Sequence, residues 1–231
     1  MRRFFIALFF AGHAIAYGQS DDMGNWLMYF GQNKINEKFS LHTEIQFRNH
    51  SILLDEIEQL LIRGGLNYHV KQNVMLTAGY AYIPSYRLED DINTATTEED
   101  RIWQQLILKH GTKKTFFEHR FRAEQRWVEG VYRDRYRYRL MLTFPLNWGS
   151  QTKDGNSVNK YFLSFYDEIF LNTDGDAFDR NRLYGALGIK LKKQNSMQLG
   201  ILNQALKNTS KWYFQIGFFL NTNFSKAKAS N

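Results

Sequence analysis

Between Phe39 and Phe224 the sequence repeatedly alternates a charged or polar residue with an apolar one, the two-residue period of a strand whose two faces meet different surroundings. The stretch EHRFRAEQRW, residues 118 to 127, is the sharpest case. It puts Glu118, Arg120, Arg122, Glu124 and Arg126 on one side, and Phe117, Phe121 and Trp127 on the other. Residues 133 to 144 repeat the pattern with Arg133, Arg135, Arg137 and Arg139 against Tyr136, Tyr138, Leu140, Leu142 and Phe144. Ser40, His42, Glu44, Gln46 and Arg48 oppose Phe39, Leu41, Thr43, Ile45 and Phe47. Further segments at 26 to 33, 58 to 70, 74 to 82, 101 to 110, 159 to 171, 180 to 192, 196 to 206 and 211 to 224 bring the count to about eleven strands. Short polar connections separate most of them, and the longer segments 85 to 100 and 147 to 159 read as solvated loops. The alternation resumes after each, so the mature chain is one all-β domain.

Alternation alone does not say which face is wet. Three features favour a transmembrane β-barrel over a soluble barrel or sandwich. The segments are long enough for a tilted span and longer than ordinary soluble strands. Aromatics gather near their ends at Phe47, Tyr80, Tyr82, Trp127, Tyr136, Phe144, Trp212 and Phe224, as interfacial girdles do. The last segment, WYFQIGFFLNTNF, sets Trp212, Phe214, Ile216, Phe218, Leu220 and Phe224 on one face like the terminal strand of an outer-membrane barrel, with SKAKASN following. The expectation is a single antiparallel up-and-down transmembrane β-barrel of about 12 strands, within 10 to 12, because spanning sheets must close and bacterial barrels usually have even strand numbers.

The N-terminus fits that location. Arg2 and Arg3 precede an apolar run from Phe4 to Ala11, and Ala16 and Gly18 occupy the small-residue positions of a cleavage site. Residues 1–18 therefore read as a secretory signal peptide and 19–231 as the outer-membrane domain. The net charge is +7, falling to +5 once Arg2 and Arg3 are removed. With 0 Cys there is no thiolate metal site, Cys nucleophile or disulfide framework.

By parity the inner face carries fourteen cations (Arg48, Arg63, Arg101, Lys109, Arg120, Arg122, Arg126, Arg133, Arg135, Arg137, Arg139, Arg180, Arg182 and Lys190) against the four anions Glu44, Glu118, Glu124 and Glu168. Two like charges about 5 Å apart repel by roughly 3 kcal/mol at an effective dielectric near 20. Such an excess does not make a dry plug: water, anions or both must share the lumen. The expected cross-strand partners are Lys109 with Glu118, Glu124 with Arg135, Arg122 with Arg137, and Glu168 with Arg135 or Arg137. Arg101, Glu118, Arg120, Arg122, Glu124, Arg126, Arg135, Arg137, Arg139, Glu168, Arg180 and Arg182 form the candidate anion-binding lumen cluster. The competing reading is that these ladders only brace a narrow barrel. No exposed basic patch for nucleic acid is formed, because each arginine alternates with an apolar residue.

Other chemistries leave weaker traces. Ser40, His42, His69 and Ser164 share the inner face, so a serine hydrolase acting on lipid or lipopolysaccharide is the alternative, without a G-x-S-x-G motif or an ordered triad. The acidic groups Glu89 to Asp91, Glu98 to Asp100, and Asp174, Asp176 and Asp179 lack the ligand order of a calcium loop and read as solvated. Neither a metal nor a cofactor is expected.

The segments EEDRIWQQLIL (98 to 108), HRFRAEQRW (119 to 127), RYRYRLMLTFPL (135 to 146), DEIFLNT (167 to 173) and FDRNRLYGALGIKL (178 to 191), with GYAYIP (79 to 84) and Trp26, resemble an uncharacterised family known as domain of unknown function 2490. The resemblance covers nearly all the mature chain. It implies an exported, outer-membrane-associated β-barrel of Gram-negative bacteria and carries no activity. Trp103, Gln104 and Gln105, together with Arg101, Arg120, Arg122, Glu124, Arg126, Arg135, Arg137, Arg139, Glu168, Arg180 and Arg182, match its recurring polar positions. The partners implied are outer-membrane lipid and lipopolysaccharide, the barrel-assembly machinery during insertion, and a small anionic solute in a porin-like lumen. A secreted soluble binding barrel is the third possibility.

Overall fold

The computed structural model describes residues 18–19, 23–52, 57–87, 95–112, 114–146, 151–153, 156–158, 160–191 and 194–224. The signal-peptide expectation and the acidic segment Glu89 to Asp91 fall outside them, apart from Gly18. The strands in chain order are β1 (Gly18–Gln19), β2 (Gly24–Lys34), β3 (Phe39–Asn49), β4 (Ile57–Lys71), β5 (Val74–Ser85), β6 (Thr97–Gly111), β7 (Phe116–Val128), β8 (Val131–Leu146), β9 (Gln151–Lys153), β10 (Asn156–Val158), β11 (Tyr161–Asn172), β12 (Phe178–Lys190), β13 (Ser196–Ala205) and β14 (Thr209–Asn223).

Eleven of these close into one barrel. Each of β2 to β8 and β11 to β14 pairs antiparallel with the next barrel strand, and β14 pairs with β2 to seal the wall. Among the described residues the wall thus has eleven strands, within the expected 10 to 12, though odd where an even number is usual. An up-and-down meander with an odd number of strands brings its first and last strands together pointing the same way, so the seam must be parallel. It is, from Tyr213↔Gly24 to Asn223↔Lys34. No hidden twelfth wall strand is needed: β1 runs parallel to the start of β14, through Gly18↔Thr209 and Gln19↔Ser210, in line with β2. The segment expected to be a plain loop at 147 to 159 carries a small hairpin of β9 and β10 outside the barrel sheet.

Local chemistry sets the tightest connection. Val128 pairs with Val131, leaving Glu129 and Gly130 as a two-residue turn with φ of 49° and 75°. Two successive positive φ values give the turn twist that matches a hairpin, and glycine accepts the second without steric cost.

The wall is inverted relative to a soluble protein. Phe121 is 45% exposed on the outside, between Arg120 and Arg122, and Arg122 is 4% exposed inside. Leu66, Leu76, Ile102, Leu187 and Ile201 are likewise exposed, on strands all round the barrel. A soluble monomer rarely shows a continuous apolar belt of this kind. Tyrosines mark the rim where β7 turns into β8: Tyr80 hydrogen-bonds Asp100, Tyr82 Oη donates to Glu98 Oε1 (2.8 Å), and Trp127 packs edge-on against Tyr132. One outward position breaks the pattern. Asp167 lies on the outer face of β11 yet is buried, accepting a 2.7 Å hydrogen bond from Asn181 Nδ2 of β12.

Candidate functional site

All twelve side chains of the expected lumen cluster face the barrel interior, because each sits at inward parity on β6, β7, β8, β11 or β12. The registers match the expectations: Lys109↔Glu118, Glu124↔Arg135 and Arg122↔Arg137 are direct partners. Glu168 is in register with Arg139 and reaches diagonally to Arg137, at 2.8 Å.

Glu124 is the hub of this interior, with no exposed surface. Its Oε2 accepts from Arg135 Nη2 at 2.7 Å and its Oε1 from Arg137 Nη1 at 2.7 Å; Arg101 Nη1 stands at 3.4 Å and Arg122 Nη1 at 3.7 Å. Three more carboxylates extend the network. Glu168 takes Arg120 at 2.7 Å as well as Arg137, Glu99 takes Arg101 at 2.6 Å and both forks of Arg126, and Glu118 takes Arg139 at 2.5 Å. Glu44 accepts from Arg63 at 3.0 Å and lies 2.9 Å from His42 Nε2. Bidentate guanidinium contacts of this kind fix geometry as well as charge.

Aromatic rings line the arginines. Trp103 is fully buried under Arg122 and Arg63, whose guanidinium carbons lie 4.8 and 5.4 Å from its ring centroid. Its bulk is accommodated by glycine on the adjacent β5 and on β4 beyond it: a Cβ on Gly79 would come within 2.7 Å of the indole and one on Gly65 within 2.9 Å. Phe170 carries Arg137 at 4.2 Å and Arg182 at 4.8 Å. Cation–π contact of this kind offsets part of the cost of desolvating arginine.

These side chains surround an inner cavity of about 450 Å³. A wider pocket of about 1110 Å³ opens at the rim formed by Lys34, Lys71 and Asn223, and the two share Gln32 and Asn221 in their walls. The inner face is therefore a basic chamber with a mouth, roomy enough for several waters or a small solute.

The charge tally differs from the parity count. Lys109, Arg133 and Lys190 are exposed, at the strand ends. Three carboxylates were missed. Glu58 is the extra residue of β4 at the bulge between Arg48 and Asn49, and its Oε1 lies 3.5 Å from Tyr213 Oη. Glu99 shares the parity of Arg101 and was legible, but it reads as part of the acidic run at the start of β6. Asp179 is inward only because of the bulge between Phe170 and Leu171, which makes it the extra residue of β12; it meets Arg180 at 2.9 Å and Arg135 at 3.2 Å. Among the described residues eleven inward arginines (48, 63, 101, 120, 122, 126, 135, 137, 139, 180, 182) now face seven carboxylates (44, 58, 99, 118, 124, 168, 179). The excess persists. Among the described residues seven buried nitrogen donors lack a hydrogen-bond acceptor, including Arg63 Nε, Arg120 Nε, Arg122 Nη1 and Arg139 Nε.

The hydrolase candidates divide. Ser164 is fully buried without a hydrogen bond, and His42 is engaged by Glu44, so these two form no pair. Ser40 Oγ does lie 2.8 Å from His69 Nε2, beside the wide pocket, and accepts from Asn67 Nδ2 at 3.0 Å. The acidic groups go elsewhere. Asp176 pairs with Lys207 Nζ at 2.8 Å, whose hydrogen bond and charge hold the carboxyl below its ordinary pKa. Among the described residues no cluster of three or more His, Asp or Glu is placed for a metal ion.

Comparison with known proteins follows the fold. A family model described as protein of unknown function (DUF2490) matches residues 23–215, from before β2 well into β14. An uncharacterized protein of Methylorubrum extorquens is 25% identical over 161 residues, 67% of this chain, and the chain spans 66% of that relative's length. No solved structure matches.

Proposed function

The chain belongs to the DUF2490 family, and on that footing we propose that it is an exported outer-membrane β-barrel whose basic, hydrated lumen admits and holds small anionic solutes. The observation that carries the reading is the sidedness of the wall. Phenylalanine, leucine and isoleucine stand exposed outside while, among the described residues, eleven arginines and seven carboxylates are enclosed. Burying apolar surface in hydrocarbon is favourable by roughly 25 cal/mol per Å², and a closed sheet leaves no unpaired edge in the bilayer. Barrel strands of 10 to 16 residues suit that setting. Tilted about 40°, an 11-residue strand rises roughly 27 Å, close to the height of an outer-membrane apolar band.

The lumen has two jobs in this reading. The Glu124 and Glu168 networks brace β6, β7, β8 and β11 across the interior. The uncompensated arginines make the remaining space attractive to anions and repellent to cations. Lipid and lipopolysaccharide meet the outer belt, and barrel-assembly machinery would insert the chain. Fractionation of the exported protein, followed by planar-bilayer conductance with a salt gradient, tests both parts. Expected are recovery with the outer membrane and a reversal potential of anion selectivity. Recovery in the soluble fraction overturns the location, and cation preference overturns the lumen reading.

One contact favours a second reading, a serine hydrolase acting on lipid: the 2.8 Å approach of Ser40 Oγ to His69 Nε2. Against it, Ser40 is 1% exposed and already accepts from Asn67. Lipid hydrolysis abolished by Ser40→Ala would establish it.

A further inference from the structure

Arg48 and Arg182 stand apart from the other inward arginines. Nine of the eleven reach a carboxylate: Arg63 at Glu44, Arg126 at Glu99, Arg139 at Glu118, Arg120 at Glu168, Arg180 at Asp179, and the four around Glu124. Arg48 and Arg182 form no ion pair among the described residues. Arg48 donates instead to the amide oxygens of Gln46 (2.7 Å from Nη2) and Gln59 (2.5 Å from Nη1). Those amides are held in that orientation, since Gln46 gives its own nitrogen to Glu44 and Gln59 to Ser85. Arg182 donates through Nε to Gln204 Oε1 at 2.8 Å.

The same two arginines share one ring. Their guanidinium carbons lie 4.1 Å and 4.8 Å from the indole centroid of Trp26. Two positive charges are thus gathered on a single buried indole with no carboxylate within 4 Å of either among the described residues; Glu58, the acidic group nearest in effect to Arg48, is turned to Tyr213 Oη at 3.5 Å. Beside the two guanidinium groups are two buried donors, Trp26 Nε1 and Gln215 Nε2, with no partner among the described residues. These belong together, because Trp26 and Gln215 are direct register partners across the parallel seam, and Arg48 is the partner of Trp26 on its other side. All four residues line the inner cavity of about 450 Å³.

Two guanidinium groups without an ion pair and two unanswered neutral donors around one cavity call for an acceptor with several oxygens, and the arginine excess of the lumen favours one with two negative charges. A monocarboxylate balances one charge, and chloride offers no pair of oxygens to a guanidinium fork. We propose that Trp26, Arg48, Arg182 and Gln215 form a binding site for a dianionic tetrahedral oxyanion, of the phosphate or sulfate class, inside the barrel. This rests on the reading that the lumen admits anionic solutes, and it names where they stop and which charge they carry.

The test is calorimetric titration of the full chain, folded in detergent micelles, with inorganic phosphate, sulfate, acetate and a short-chain phosphatidic acid at fixed ionic strength. Phosphate and sulfate are expected to bind about tenfold tighter than acetate. Arg48→Gln and Arg182→Gln should each weaken phosphate by about tenfold or more, and Trp26→Phe, which keeps the ring and removes the N–H, by about threefold. Lys207→Gln removes a positive charge that pairs with Asp176 on the exposed surface and should change it by less than about threefold. Tighter binding of the lipid than of free phosphate, lost in the same variants, supports the site and assigns a headgroup as its source. Equal affinity for acetate and phosphate overturns the proposal, as does Lys207→Gln proving as harmful as Arg182→Gln. Should either glutamine variant not fold, Arg48→Lys and Arg182→Lys keep the charge without the fork; unchanged phosphate affinity in both then overturns it.

The two readings fail separately. Anion selectivity in a bilayer, with phosphate affinity indifferent to Arg48 and Arg182, removes the site and leaves the lumen. Phosphate affinity lost in Arg182→Gln, in a protein recovered soluble, supports the site and removes the membrane.

Discussion

Arg137 joins the two central carboxylates of the barrel, giving Nη1 to Glu124 at 2.7 Å and Nε to Glu168 at 3.0 Å. One guanidinium thereby couples β7 to β11 through β8, the strand between them. The consequence is a shared interior in which no single charge can be removed alone without cost.

Glu124→Gln should therefore be among the most damaging conservative changes. It leaves Arg101, Arg122, Arg135 and Arg137 gathered without their common anion, and breaking a buried ion pair from one side costs about 3–5 kcal/mol. Urea unfolding of the barrel in vesicles, followed by tryptophan fluorescence, should show a midpoint well below that of the parent chain. An unchanged midpoint would show the hub to be replaceable by water.

Charge reversal should separate the hub from the periphery. Glu118 contacts mainly Arg139, at 2.5 Å, with Lys109 at 3.5 Å. The double variant Glu118→Arg with Arg139→Glu should fold better than either single change, recovering about 0.5–3 kcal/mol of coupling. The corresponding exchange of Glu124 and Arg135 should not recover, since an arginine at 124 still faces Arg101 and Arg137. Equal recovery at both pairs would contradict the hub geometry.

Position along the wall should govern the effect of an outward charge. Phe121→Arg, midway along β7, should cost about 2–4 kcal/mol in a bilayer, whereas Tyr132→Arg beside the rim should cost roughly 0–1 kcal/mol. Folding yield into vesicles measures the difference. Were both substitutions harmless, the belt would be facing water.

The outward Asp167 and Asn181 make a matched pair. Asn181→Leu alone strands a buried carboxyl and should cost about 1–3 kcal/mol, while Asp167→Leu with Asn181→Leu should come near neutral. Denaturation midpoints of the three proteins decide it. A double variant no better than the single would mean that Asp167 serves something other than Asn181.

Trp103 depends on a space that glycine keeps open. Gly79→Ala places a methyl group 2.2 Å from the Gly64 carbonyl oxygen and 2.7 Å from the indole, an overpacking that costs about 1–3 kcal/mol. The loss should appear as a lowered melting temperature by circular dichroism. A wild-type melting curve would show that the β4–β5 backbone moves aside freely.

Much of this was legible beforehand because period two is a backbone property. Arg120, Arg122, Glu124 and Arg126 must share a face wherever the strand is placed, and so must Arg135, Arg137 and Arg139. Eleven segments, one domain, the inward arginines and the register of Glu124 with Arg135 all follow from that period and from short connections. What parity does not carry is distance across the barrel or a break in the ladder. Asp179 turns inward through a bulge, Ser40 meets His69 because β3 and β4 are adjacent, and Asp167 finds Asn181 on the outer face. The parallel seam follows from counting strands, and the even-number expectation hid it. The pairing of Arg48 and Arg182 on Trp26 comes from three strands that meet only when the sheet has closed, since Trp26 and Arg182 are 156 positions apart in the chain. Sequence fixes which side of each strand is charged, through alternation; closure alone decides which charges lie within reach of one another, and so which of them are left without a partner.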